Sequence, residues 1–246
     1  MNILLLRFTG PLISFGAPIV DHHGVIQQYP ALSMICGLLG NALGYDHSEA
    51  ERLQRLQERI RYASRRDRAG ERMRDYQTVD LGADYMDDDL AWTTRGELER
   101  RKGGSASSGT HIRLRHYWAD AAHTVALTLE RADEKPTVRD LRDALEAPER
   151  PLFIGRKTCL PSEPLLLGTI QADGLLDALR RAPLADDPDD RERCMAWWPS
   201  HPDADEDRAS QRVVTDSRDW TNQIHVGQRW IAFGNIELHP EEPTHA

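Results

Sequence analysis

The run from Ile3 to Phe8 is almost wholly apolar and ends at Gly10-Pro11, which predicts a buried first strand followed by a turn. After a loop holding Gly16, Pro18 and Gly24, the segment from Ser33 to Gly44 reads as a helix of about three turns, with Ser33 as N-cap and Gly44 as the residue that ends it. Gly37 and Gly40 share one face of that helix, so another backbone is expected to approach closely there; tight packing on a sheet is the plain structural reason. Glu49 to Glu58 predicts an amphipathic helix with Leu53 and Leu56 inward, and Ile60 to Ala63 a strand. Periodicity lapses between about Val79 and Tyr117, and KGGSASSGT at 102–110 has the composition of a flexible tip. The flanks of this insertion, Tyr76 to Val79 and His111 to Arg115, both alternate like strands and are expected to pair. His123 to Leu129 alternates as a strand, with Val125, Leu127 and Leu129 on one side. Thr137 then caps a helix that carries Val138, Leu141 and Leu145 at helical spacing. Further on come a strand at Leu165 to Thr169, a short helix at Gly174 to Arg181, and an acidic, proline-rich loop over 183–210. Val213-Val214 and His225 to Leu238 are expected to form a final small sheet.

The order strand, helix, strand, insertion, strand, helix predicts an α+β chain built on a ferredoxin-like (RRM-like) βαββαβ unit. Residues 1–150 would hold that unit, with the insertion at about 79–117. Residues 151–246 would hold a glycine and basic loop and a small β-rich extension.

Composition narrows the function. Of the 246 residues 39% are hydrophobic and 29% charged, the balance of a folded chain with long solvated loops. No apolar run reaches the roughly 18 to 20 residues of a membrane helix, and MNILLLRF has no basic leader region, so a soluble cytoplasmic protein with no membrane partner is expected. Cys36, Cys159 and Cys194 lack both disulfide and zinc spacing and are expected to be buried thiols, with no metal and no cofactor. The net charge of −9 speaks against nucleic acid, but its distribution does not. Residues 51–74 carry nine Arg against four acids, and residues 95–116 carry five Arg and one Lys against two acids. Such segregation predicts a basic face on an acidic body.

Particular groups could hold an anion such as a nucleic-acid phosphate. A helix start at Ser33 offers backbone N–H groups and the positive end of a dipole to an anion. Gly155-Arg156-Lys157 sets two cations beside a backbone that glycine lets a ligand approach, or is an ordinary solvated turn. Arg7, at the end of the first strand, needs a phosphate or an Asp as partner. Tyr76 and Tyr117 flank the insertion and could stack on splayed bases, or pack as ordinary edge aromatics. Arg113 and Arg115 alternate on one strand face and suit a backbone clamp.

Four stretches carry a family resemblance: LLLRFTGPLISFG at 4–16, YPALSMICGLLGNALG at 29–44, MRDYQTV at 73–79 and PLFIGRKTCLPSEPLLLG at 151–168. In this order they resemble the CasD family of Cascade subunits, the type I-E form of the fifth Cas family in the RAMP superfamily. The resemblance implies a non-catalytic subunit of a CRISPR surveillance complex that binds the 5′ handle of CRISPR RNA on a ferredoxin-like domain. It also implies a β-hairpin thumb at the insertion, where Arg100, Arg101 and Lys102 would track RNA backbone. The implied partners are the large subunit, the backbone subunits and, indirectly through the guide duplex, target DNA. Relatives that cleave the CRISPR precursor supply the alternative, a metal-independent endoribonuclease, for which His22, His23, His116, Tyr117 and Lys157 are the nominal acid, base and cation.

Overall fold

A computed structural model describes residues 1–17, 23–80, 90–92, 98–100, 110–185, 193–202 and 209–239. Strand β1 (Asn2–Thr9) is buried from Ile3 onward and is followed by two short strands, β2 (Leu12–Ile13) and β3 (His23–Gly24). Helices α1 (Leu32–Ala42) and α2 (Ala50–Arg59) lead into β4 (Ile60–Arg68) and β5 (Glu71–Asp80). Within the insertion β6 (Leu90–Trp92) pairs with β7 (Leu98–Arg100). The chain returns through β8 (Thr110–Ala119) to β9 (Ala122–Leu129), α3 (Val138–Glu146), β10 (Leu166–Gln171) and α4 (Leu175–Arg181). It closes with β11 (Arg193–Ser200), β12 (Ser210–Val214), β13 (Ser217–Asp219), β14 (Ile224–Val226) and β15 (Arg229–Glu237).

The protein is a mixed α+β chain around one large antiparallel sheet, in the strand order β10-β1-β9-β4-β11-β15-β12. One face carries Leu4, Leu6, Phe8, Val125 and Leu127 and packs under α1, α2 and α3. The opposite face carries Ile3, Leu5, Ala63 and Ala126 and packs under α4. Burial on both faces is why β1 reads as an unbroken apolar run rather than an alternating one. The sheet does not stop near residue 150, because β10 pairs with β1, and β11 pairs with β4. All three cysteines are free and buried.

Local signals act as the sequence suggests in several places. Thr137 closes a capping box with Asp140, and Gly44, at φ +77°, ends α1. The insertion flanks pair in the register Tyr76 with Leu114 and Val79 with His111. Elsewhere the structure differs. Residues 193–200 form an interior strand rather than a surface loop, since Cys194, Ala196 and Trp198 alternate onto one buried face. Strands β12 and β15 extend the main sheet, so among the strands after β11 only β13 and β14 pair apart from it, while β2, β3, β5 and β8 form another sheet beside it.

Strand β4 runs past Ala63 to Arg68 because its charges are met inside the protein. The Arg65 guanidinium, fully buried, bonds Asp67 at 2.6 Å and the carbonyls of Leu179, Ala182 and Pro183. Asp67 also accepts from Thr124 Oγ1 at 2.6 Å and from the Ala185 N–H at 3.1 Å. Removing one member of such a pair strands the other charge and costs about 3–5 kcal/mol.

His123 lies across the sheet from this network, 1% exposed, with Nδ1 3.4 Å from Ser64 Oγ and the Phe15 ring edge-on. Burial, then the charge of Arg66, pushes its pKa down to about 3. The unfolded chain takes up this proton near pH ~6.5, so His123 costs the fold nothing above that pH and progressively more as pH falls toward about 3. Urea unfolding at about pH 7.5 and about pH 5.5 is expected to show the wild type losing about 1.4 kcal/mol more than His123→Gln between the two. Equal losses in the two proteins would show that His123 is not held neutral.

Candidate nucleic-acid interface

A groove of about 610 Å³ opens along α1, floored by Ser14, Gly16, Ala17 and Val25 and walled by two further segments. Its α1 wall presents Ser33, Met34 and Gly37; its second wall is the turn Phe153 to Lys157; its third is the β13–β14 hairpin, with Arg218, Trp220, Gln223 and His225. Ser33 and Gly155-Arg156-Lys157, far apart along the chain, therefore line one cavity.

The turn is held rigidly. Gly155 has φ +96°, and a Cβ there would stand 1.8 Å from the Ser14 carbonyl oxygen. Its missing side chain lets the chain's own backbone approach, rather than a ligand as the sequence suggested. Arg156 is half-buried: Nη1 donates to the His116 carbonyl at 2.8 Å, Nη2 to the Gly24 carbonyl at 3.0 Å, and the guanidinium lies 4.9 Å from the centre of the Tyr117 ring. It thereby ties the turn to β3 and β8. Lys157 is exposed, and among the described residues it has no hydrogen-bond or ion-pair partner.

The α1 wall begins differently from expectation. The N-cap is Ala31, not Ser33, and it offers no side-chain cap. Asp216 takes that role from the far end of the chain: its Oδ2 accepts from the Leu32 N–H at 3.1 Å, and its carbonyl accepts from the Ser33 N–H at 3.0 Å. An anion in the groove thus meets the Ser33 side of α1 with those two N–H groups already engaged. The hairpin wall was not anticipated by sequence reasoning. Trp220 packs over Gly37, where a Cβ would lie in ordinary contact 3.6 Å from its ring, so the neighbour of this glycine is an indole and not a backbone. Gln57 of α2 grips the hairpin through both amide ends, accepting from the Arg218 N–H at 3.0 Å and donating to the Arg218 carbonyl at 2.9 Å.

Residues 3–232 match the family model described as CRISPR-associated protein (Cas5). The chain belongs to the Cas5 family. It is 32% identical over 188 residues to the CRISPR system Cascade subunit CasD of Escherichia coli (strain K12), covering 72% of this chain and 75% of that one. A chain of a solved CRISPR RNA-guided surveillance complex superposes with a TM-score of 0.69 at 26% identity, over 96% of this chain and 90% of the other. A second solved structure, described as a Cas protein, shares the fold at a TM-score of 0.65 and 24% identity, over 98% and 100% of the two chains.

The remaining candidates among the described residues of this Cas5 chain fall outside the groove. Arg7 is buried at 4% exposure, 3.9 Å from Asp67 and 2.7 Å from the Pro183 carbonyl, so of its two possible partners it has the Asp; this corrects its reading as a phosphate ligand. Tyr117 is equally buried and serves as the platform under Arg156, which corrects its reading as a stacking surface for bases. Tyr76 is 59% exposed on β5. Arg113 is exposed and Arg115 half-buried on the same face of β8, opposite Gln77 and Asp75. Arg100 ends β7, while Arg101, Lys102 and His22 lie outside the described residues. Much of the basic tract at 51–74 is neutralised internally: Arg52 by Glu49, Arg55 and Arg59 by Glu134, Arg61 by Glu130, Arg65 by Asp67 and Arg68 by Asp120. Among the described residues no helix is long and apolar enough to cross a membrane.

Gly155→Ala tests the turn. Its Cβ meets backbone rather than a yielding side chain, and its φ is unfavourable to alanine, so a stability loss of about 2 kcal/mol or more is expected in thermal or urea unfolding. An alanine variant as stable as wild type would mean that the turn does not rest on Ser14.

Proposed function

We propose that this Cas5-family chain is a non-catalytic subunit of a type I-E Cascade surveillance complex, in which its groove binds the 5′ handle of CRISPR RNA. One observation carries the reading: residues from the first helix and from the distant Gly155-Arg156-Lys157 turn converge on a single cavity, whose lining includes Lys157, unpaired among the described residues. A flexible ammonium without a carboxylate partner is suited to a backbone phosphate. Arg156 contributes differently, by fixing the turn against β3 and β8. The relatives named above, a Cascade subunit and a chain of an RNA-guided surveillance complex, support the assignment to such an assembly. Its neighbours there, in the cytoplasm, would be the large and backbone subunits.

The strand order β10-β1-β9-β4, with α1 and α3 on one face, supports a ferredoxin-like reading of the N-terminal unit. The insertion between β5 and β8 is then the thumb, reaching over the guide near the end of the handle. It would set where guide–target pairing begins, with target DNA contacted indirectly through the guide duplex. Tyr76, Arg113 and Arg115 at its base, and Arg100, Arg101 and Lys102 further out, would follow the RNA backbone.

Guide retention by the assembled complex tests the groove. Lys157→Gln is expected to weaken it about fivefold, and Arg156→Ala with Lys157→Ala more than tenfold, each with a shallower salt dependence. A folded double variant that keeps its guide with the wild-type affinity and salt response removes the groove from the RNA path.

The nuclease reading has one observation in its favour. His116 lies near His23, Arg72, Arg74 and Arg156, and burial, then these charges, lowers its pKa, so that it stands neutral and able to accept a proton. Incubation of the purified chain with its repeat RNA is expected to leave the RNA intact. Specific cleavage that disappears in His116→Ala would establish the nuclease instead.

A further inference from the structure

The buried arginines among the described residues follow one rule. Arg7 and Arg65 meet Asp67 and Arg59 meets Glu134, as half-buried Arg229 meets Asp216. The rule follows from solvation, since a guanidinium taken out of water without an opposing charge is costly. Arg218 breaks it. It is half-buried in the hairpin wall of the groove, and among the described residues it has no carboxylate partner. Its Nη2 donates to Gln223 Oε1, its Nε is buried without a partner, and its guanidinium lies 5.4 Å from the centre of the Trp220 ring. Burial lowers its pKa with no carboxylate opposing the shift.

Its position is nonetheless fixed. Both backbone groups of Arg218 are bonded to the Gln57 amide, Gln223 holds one end of the guanidinium, and Trp220 lies beneath it. A side chain that is pre-positioned, desolvated and short of an anion, in a cavity whose other rim carries Lys157, has the character of a ligand-binding group. We infer that Arg218 is a phosphate-binding residue of the groove, and that a backbone phosphate of the RNA strand supplies the counter-charge that no described side chain provides. The planar fork suits two phosphate oxygens at once. The β13–β14 hairpin is thereby an RNA-contacting element on the wall facing the Gly155-Arg156-Lys157 turn. This rests on the proposed handle-binding function of the groove and adds a residue and a wall to it.

The test uses the assembled complex with its guide, comparing wild type, Arg218→Gln, Arg218→Lys and, as control, Arg139→Gln on the exposed face of α3. Guide affinity is measured across a salt series, with melting temperatures to confirm folding. Arg218→Gln is expected to bind about tenfold more weakly, with a salt slope smaller by about 0.7, the value for one phosphate contact on a single strand. Arg218→Lys is expected to keep the slope with a smaller loss, and Arg139→Gln to match wild type. In wild type, a photo-activatable handle RNA is expected to crosslink to the peptide containing residues 217–226, a readout that does not depend on any variant folding. Wild-type affinity and slope in Arg218→Gln, a weakened variant with an unchanged slope, or a seated guide that leaves the hairpin peptide uncrosslinked would each overturn the inference while leaving handle binding intact. A wild-type complex that retains no guide would instead overturn handle binding and this inference with it.

Discussion

Asp216 is the residue on which the shape of the groove depends. Its carboxylate is almost wholly buried, and a buried charge must be met by donors. Here they come from two parts of the chain: the Arg229 Nε and Nη2, each at 2.7 Å, and the Leu32 N–H at the start of α1. The negative charge sits at the positive end of the helix dipole. Arg229 Nη2 donates further to the Tyr62 hydroxyl, which donates to the Pro30 carbonyl just ahead of the helix. One carboxylate thus fixes where α1 begins and brings the β13–β14 hairpin against it, and the groove is the space left between them and the Gly155 turn.

What could be read from the sequence follows the range of the forces involved. The capping box at Thr137 and Asp140, the apolar run of β1 and the alternation of β9 are written in neighbouring residues and appear where expected. The cap of α1 was assigned to Ser33 because a serine ahead of an apolar helix is a strong local signal. The true cap is Asp216, whose partnership with Leu32 has no local trace. The basic tract at 51–74 misled in the same way. Its arginines look free in sequence because Glu130, Glu134 and Asp120 lie far along the chain.

The site itself was partly legible. Ser33 and the Gly155-Arg156-Lys157 turn share a cavity, yet the reasons differ from those the residue types suggest. The glycine accommodates Ser14, the arginine braces β3 and β8, and the lysine alone has no partner among the described residues. The hairpin wall could not have been found, because Arg218 and Trp220 acquire their meaning from Gln57 and Gly37, which approach them only in the folded chain.

The Arg65–Asp67 pair also bears on how the chain is made. These residues leave the ribosome early, but the carbonyls of Leu179, Ala182 and Pro183 and the Ala185 N–H that complete their shell lie 114 to 118 positions later. Until that segment emerges the pair must stay in water, and β4 cannot become an interior strand. β1 likewise waits for β10 before both its edges are covered. Folding of the main sheet is therefore largely deferred until most of the chain has been synthesised, and such dependence on distant contacts makes it slow. The nascent chain carries open strand edges through that interval, so this subunit would be most vulnerable to aggregation during translation rather than after it.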